Sequence, residues 1–158
     1  MDNEALEIIQ KIKNAMDCLL RNDKFLITND TNERTITHKL AEYLQQEFSE
    51  WNVDCEYNRH GEEIKKIDIP KDGINWDDIE QRTVFPDIIV HKRNTNKNIV
   101  IIEVKKSTNS ISRAFDENKL KAFTTDPYNY KFGFFLLINV VNGPYELDLF
   151  RNGREIPI

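Results

Sequence analysis

Three apolar runs in the second half of the chain constrain its fold more than any other feature. They are rich in β-branched and aromatic residues, as strands are, and they span residues 84–91, 99–105 and 132–141. The first two runs are separated by the polar segment 92–98, which suits a hairpin turn. A helical pattern with Ile111, Phe115, Leu120 and Phe123 separates the second run from the third and is long enough to cross over a sheet. These runs predict a mixed β-sheet.

Helical spacing of apolar residues dominates the first third of the chain. It predicts an amphipathic first helix whose buried positions are Ala5, Ile8, Ile9, Ile12, Ala15, Met16, Leu19 and Leu20. A second helix is expected over residues 31–50, with Asp30 as its N-cap and with Ile36, Leu40, Leu44 and Phe48 on its buried stripe. Short strands are expected around Val53, Cys55 and Tyr57 and over residues 147–150. The fold class is therefore α/β, with a central mixed sheet flanked by helices.

The 158 residues are about the length of one domain, so a single domain over residues 1–158 is predicted. Residues 62–82 show little periodicity and are predicted to be a long loop or insertion, partly ordered around Trp76. No stretch approaches the roughly 20 apolar residues of a membrane helix, and the first residues lack the basic start of a secretory signal. We therefore expect a cytoplasmic protein that does not insert into a membrane.

The charge distribution is uneven along the chain. The formal net charge is −5, which argues against a polyanionic partner. Residues 91–121, however, hold 8 basic and 3 acidic side chains and so carry +5. Such asymmetry points to a nucleic-acid partner, although a charge-rich run is more often only a solvated face.

Three charged residues interrupt the apolar runs at adjacent strand ends. Because side chains alternate along a strand, Glu103 and Lys105 share one face. A hairpin centred near Thr95 places Asp87 across from roughly Glu103, so the two carboxylates become cross-strand neighbours. Neighbouring carboxylates repel each other and need a proton or a cation between them. Oxygen ligands of this kind suit Mg²⁺ or Mn²⁺, and Lys105 could act on a metal-held water or on a phosphate.

The segment Pro86-Asp87, followed after 15 residues by Glu103-Val104-Lys105, resembles the PD-(D/E)xK nuclease superfamily. The element order over residues 31–141 is similar to the restriction-endonuclease-like core, αβββαβ, preceded here by an extra helix. The resemblance implies that Asp87 and Glu103 hold Mg²⁺ or Mn²⁺, joined by the Val104 carbonyl, and that Lys105 is the catalytic lysine. It also implies a further acidic residue on the preceding helix, which here is Glu33.

The same resemblance implies hydrolysis of phosphodiester bonds in DNA, or else in RNA. Members often place a basic or amide residue on the helix after the motif, for which Lys119 and Lys121 are the candidates here. Lys106, which follows the motif directly, is a further candidate for nucleic-acid contact. The acidic net charge leaves room for a homodimer or a partner subunit that completes the basic surface.

Each of these interpretations has a plainer alternative. Asp87, Glu103 and Lys105 could form a surface ion pair, and Asp30-Thr31-Asn32-Glu33 reads as a capping box. His91 could line the phosphate path or be a solvated strand end. Tyr128 and Tyr130 could stack on bases or simply pack. For the whole chain, the alternative is a catalytically silent module of nuclease fold that binds nucleic acid or a protein partner.

Overall fold

The structure, a computed structural model, describes residues 1–57, 85–141 and 144–158, together with the backbone of short strands between residues 59 and 83. Within these residues the helices are α1 (Asn3–Asn22), α2 (Lys24–Thr28), α3 (Glu33–Glu47) and α4 (Ala114–Phe123). The strands are β1 (Asn52–Cys55), β2 (Arg59–His60), β3 (Glu63–Ile64), β4 (Lys66–Pro70), β5 (Ile79–Thr83), β6 (Ile88–His91), β7 (Asn98–Lys106), β8 (Phe132–Ile138), β9 (Tyr145–Arg151) and β10 (Arg154–Ile156).

A mixed six-stranded sheet forms the centre of the described residues, in the order β1-β6-β7-β8-β9-β10. Strands β6 and β7 pair antiparallel around the tight turn between them, as the hairpin pattern predicts. Strands β7 and β8 are parallel, because α4 carries the chain back across the sheet before β8 begins. The α/β class and the mixed sheet are thereby confirmed.

Helices cover both faces of this sheet. The buried residues of α1 and α3 pack with Val100, Ile102 and Val104 of β7 on one face. On the other face, Ile101 packs with Leu120 and Phe123 of α4. Strand β7 is therefore apolar on both faces over most of its length. Because side chains alternate, Glu103 and Lys105 extend toward α4, on the face of Ile101.

The region between the first and second predicted helices differs from the expectation. A short helix, α2, follows α1 directly, and α3 begins at Glu33 with Asn32 as its N-cap. The Asn32 side chain accepts a hydrogen bond from the Arg34 N–H at 2.9 Å. Asp30, the predicted N-cap, adopts a left-handed backbone with φ of 49° and binds other residues. The predicted Asp30 N-cap and the predicted capping box were both wrong, because Asp30 belongs to the turn that follows α2 and α3 starts only after Asn32.

Three element ends also differ from their predicted positions. Strand β6 starts at Ile88, after Pro86, which lacks the N–H that a strand ladder uses. Helix α4 starts at Ala114, so Ile111 precedes it and is 66% exposed. The Ile111 N–H donates instead to the Asn109 side chain at 3.0 Å, which favours a turn over a helix. Strand β8 ends at Ile138 rather than at residue 141.

The expected loop over residues 62–82 contains backbone strands in the structure. Strand β3 pairs with β2, and β4 pairs with β5, as two antiparallel ribbons. Trp76 lies outside the described residues. No helix in the described part of the chain has the length and apolar character that crossing a membrane requires.

Candidate active site

The hairpin register sets Asp87 beside the end of β7. Ile88 pairs with Ile102, so the next residue outward on each strand brings Asp87 opposite Glu103. One oxygen of Asp87, Oδ2, accepts a hydrogen bond from the Val104 N–H at 2.8 Å. The Asp87 carbonyl accepts a second from the Glu56 N–H at 3.2 Å. These bonds fix Asp87 between β1 and β7.

Glu103 is a buried carboxylate, only 1% exposed. Its Oε2 accepts a hydrogen bond from Lys119 Nζ on α4. Its Oε1 is buried and has no hydrogen-bond partner among the described residues. A buried acceptor without a partner is costly, and such atoms in native proteins call for an explanation such as a bound ion.

Burial and mutual repulsion act on both carboxylates. Burial raises the pKa of Glu103 well above its usual value, and the nearby Asp87 charge adds to that effect. Burial also raises the pKa of Asp87, although the Val104 N–H partly opposes the shift. The two groups therefore form a site that favours a cation or a proton.

Lys105 and Lys119 meet at one acidic residue of α4, Asp116. Lys105 Nζ donates to Asp116 Oδ2 at 3.0 Å, and Lys119 Nζ lies 3.3 Å from Asp116 Oδ1. Both lysine side chains are more than nine-tenths buried. Glu103 and Lys105 are thus interior groups, which excludes the surface ion pair as their explanation.

Asp116 was missed in the sequence, although a signal for it exists. Asp116 and Lys119 fall three residues apart, at helical spacing with the buried Leu120 and Phe123. That spacing puts them on the face of α4 that turns toward the sheet. What the segment alone does not give is the pairing of Asp116 with Lys105 of β7, which depends on how α4 packs on the sheet.

Glu33 holds the chain as it leaves β7. Its Oε2 accepts hydrogen bonds from the Lys106 N–H at 2.8 Å and from Asn109 Nδ2 at 3.1 Å. The Lys106 ammonium binds the loop that precedes α3. It donates to Asp30 Oδ1 at 2.7 Å and to the Thr31 carbonyl at 2.6 Å. Glu33 and Lys106 therefore connect the start of α3 to the end of β7.

Two clefts open beside these residues. One of about 390 Å³ is lined by Glu33 and Asp87, with the exposed Phe85 at its edge. A second of about 260 Å³ is lined by Lys105 and Arg113. Asp87 and Lys105 therefore line two different clefts, and Glu103 lines neither of them.

Much of the positive charge in residues 91–121 is neutralised within the protein. Arg93 pairs with Asp54, and Arg113 pairs with Glu117 at 2.5 Å and with Asp148 at 2.7 Å. Lys105, Lys106 and Lys119 also pair with carboxylates. Lys121 is half-buried at the end of α4. The count of +5 thus overstates the cationic surface that a nucleic acid would meet.

His91 and the two tyrosines are interior residues. His91 is 5% exposed and its Nε2 lies 2.8 Å from Asp54 Oδ2, so the solvated strand end was wrong. Tyr128 and Tyr130 are buried against Phe123, which confirms packing as the plainer account.

The described residues offer few oxygen ligands for a hard divalent cation at this position. Within the described residues, no group of three or more His, Cys, Asp or Glu side chains is arranged around a metal position. Mg²⁺ often uses only one or two protein carboxylates and keeps several waters. Asp87 and Glu103, whose Oε1 accepts no hydrogen bond from any described residue, are two such carboxylates.

Comparisons with protein-family models, with curated proteins and with solved structures gave no significant match for this chain. Function has to be argued from the geometry of these residues.

The raised pKa values of the two carboxylates predict that this pair lowers the stability of the metal-free protein near neutral pH. Both pKa values are raised on folding, so stability is present at low pH and is lost as the pH rises through the folded-state values. Asp87→Asn removes one charge and keeps an oxygen to accept from Val104. We expect its melting temperature to exceed that of the wild type near pH 7 by a few degrees, at roughly 2–4 °C for each kcal/mol.

Thermal melts between pH 4 and 8 in the presence of a chelator measure this effect. The difference between variant and wild type should shrink toward pH 4. Glu155→Gln, which removes an exposed carboxylate on β10, is the control and should change neither the stability nor its pH dependence. Equal melting curves for Asp87→Asn and the wild type at every pH would refute the repulsion.

Proposed function

We propose that this chain is a metal-dependent nuclease of the PD-(D/E)xK type, built on a restriction-endonuclease-like core, and that it hydrolyses phosphodiester bonds in DNA. The observation that carries the proposal is the buried Oε1 of Glu103, which has no hydrogen-bond partner in the part of the chain that the structure describes and lies at a strand end beside Asp87. A carboxylate is placed there at a cost in free energy, and a bound cation is one explanation for such an arrangement.

The proposed cation is Mg²⁺ or Mn²⁺, held by Asp87 and Glu103. The Val104 N–H points toward Asp87, and in an extended strand the carbonyl of the same residue leaves on the same side. Val104 can therefore offer its carbonyl oxygen to the same ion. When bound, such an ion polarises phosphate oxygens and lowers the pKa of a bound water.

Lys105 is the proposed catalytic group. Its ammonium is positioned by Asp116 at 3.0 Å and lines a cleft that a phosphate could enter. From there it can orient the attacking water or offset the negative charge that develops on the phosphate. Glu33 lines the cleft of Asp87 and is the proposed accessory group for water or metal, while it also holds the end of β7.

Substrate binding is the harder requirement for an acidic protein. The net charge is −5, and most basic side chains near the site already have carboxylate partners. We propose that the metal itself supplies much of the attraction for the phosphate backbone. A second copy of the chain or a partner subunit would supply the rest, with Lys121 among the basic residues available for contact.

Cleavage assays test the proposal. The protein is mixed with labelled single-stranded and double-stranded DNA and RNA, with Mn²⁺ or with a chelator. We expect cleavage of DNA with Mn²⁺ and none with the chelator. Glu103→Gln, purified in parallel, is the matched control, because it keeps the side-chain shape but removes a charged ligand. Equal cleavage by this variant would indicate a contaminating nuclease.

The alternative is a module of nuclease fold that binds without turnover. The specific observation in its favour is that Lys119 already pairs with Glu103, so this carboxylate has a cationic partner without a metal. Such a protein would bind nucleic acid or a protein partner and leave every substrate intact with Mn²⁺. Binding in a gel-shift assay, together with no cleavage of any of the four substrates, would favour it.

A further inference from the structure

Lys119 is the cation nearest to the buried carboxylate. Its side chain is 8% exposed, and its Nζ donates to Glu103 Oε2. Burial lowers the pKa of Lys119, but the charge of Glu103 outweighs this, so the pKa is raised overall and the ammonium is retained. A charged, buried lysine thus already binds one oxygen of the carboxylate that is proposed to hold the metal.

An alternative acceptor for this ammonium lies one turn earlier on the same helix. Lys119 Nζ is 3.3 Å from Asp116 Oδ1 and 5.4 Å from the centre of the Phe115 ring. Both groups stabilise a cation. Lys119 could therefore give up Glu103 without becoming an unpaired buried charge.

Two cations cannot share Glu103 without strong repulsion. A divalent ion held by Oε1 of Glu103 would lie within a few ångströms of the ammonium on Oε2, in surroundings with little water to screen the charges. This repulsion favours an arrangement in which one of the two moves away. The protein-bound ammonium is the group with a second partner ready.

We infer that Lys119 is a tethered cation that occupies Glu103 in the metal-free protein and is displaced to Asp116 when a divalent metal binds. This inference rests on the proposed function, because it concerns the same carboxylate pair. It assigns Lys119 a role in setting metal affinity rather than in contacting nucleic acid.

Calorimetric titration with Mn²⁺ at pH 8 tests the competition. Lys119→Met keeps the length and apolar stem of the side chain but removes the charge. We expect it to bind Mn²⁺ at least about tenfold more tightly than the wild type, because the competitor is gone. Lys97→Met, at the exposed turn that precedes β7, is the control, and its affinity should equal that of the wild type.

A measurement on the wild type keeps the inference testable if Lys119→Met does not fold. The ammonium of Lys119 can be observed by nitrogen-15 NMR and assigned by its loss in Lys119→Arg. We expect Mg²⁺ to shift this signal and to speed its hydrogen exchange in step with binding, while the Lys121 signal stays unchanged.

The outcomes separate this inference from the proposed function. Tighter Mn²⁺ binding by Lys119→Met than by the wild type, together with a Mg²⁺-dependent shift of the Lys119 signal, would support the inference. Metal binding by Lys119→Met with none by the wild type would contradict both the displacement and the nuclease proposal. If the wild type binds Mn²⁺ and Lys119→Met binds it no more tightly, or if Mg²⁺ leaves the Lys119 signal unchanged, the inference is wrong and the nuclease proposal stands. If neither protein binds metal, both are wrong.

Discussion

Replacing Lys105 by alanine should lower the rate of phosphodiester cleavage by about 10²- to 10⁴-fold, which is the usual loss for a positioned proton-transfer group. Mn²⁺ affinity should be unchanged or slightly raised, because a nearby positive charge has been removed. The side chain is buried and its ammonium is held by Asp116 at 3.0 Å. Single-turnover cleavage and calorimetry on the same preparation measure the two effects.

Asp87→Asn is the informative comparison for Lys105→Ala. It should reduce cleavage as well, but it should also weaken Mn²⁺ binding by at least about tenfold, since even residues that only orient metal ligands contribute about 10- to 100-fold. Lys97→Ala, at the exposed turn at the other end of β7, is the control and should cut like the wild type. Wild-type cleavage by Lys105→Ala would show that the lysine has no catalytic role and that the resemblance was coincidental.

Phe135→Ala should lower the free energy of unfolding by about 3–5 kcal/mol, as is typical for deleting a buried phenyl ring. Phe135 is fully buried, and its position in β8 pairs with Glu103 in β7. The Arg113 guanidinium lies 4.6 Å from the centre of its ring. The variant therefore opens a cavity beside the carboxylate and removes the surface on which Arg113 rests.

Denaturant titration followed by circular dichroism measures this loss. Phe25→Ala removes the same ring from a position on α2 that is 71% exposed, and it should change stability by less than about 0.5 kcal/mol. A similar small effect for Phe135→Ala would mean that the α4 side of the sheet is not tightly packed around the site.

The two strands of the hairpin and their pairing could be predicted from the sequence because they depend on neighbours along the chain. A polar segment of hairpin length between two apolar runs fixes an antiparallel pair, and the observed pairing of Ile88 with Ile102 follows from it. The opposition of Asp87 and Glu103 is a consequence of that register. Alternation along β7 likewise placed Glu103 and Lys105 on one face.

Element ends were less predictable because local side-chain bonds decide them. The start of α3 depends on Asn32 capping Arg34, after α2 has already turned the chain. The start of α4 depends on Asn109 binding the backbone of Ile111. Such bonds compete with helix formation over one or two residues, which is finer than hydrophobic periodicity resolves.

The sequence by itself determined the α/β class, the hairpin, the crossover and the set Asp87, Glu103 and Lys105, because each follows from a period or a spacing within a short segment. Only the tertiary structure decided what surrounds that set. It pairs Lys119 with Glu103, places Asp116 between two lysines, and leaves one oxygen of Glu103 without a partner among the described residues.

The physical reason lies in how α4 is placed. Its position over β7 is set by the packing of Leu120 and Phe123 against Ile101 and Phe135, and these contacts join parts of the chain that are distant in sequence. Burial then follows from the whole assembly. It raises the pKa of Glu103, whereas the pKa of Lys119 is raised by the charge of Glu103 against the opposing effect of burial. Spacing along the chain names the charged residues, but the packing of α4 on the sheet decides which of them face each other away from water.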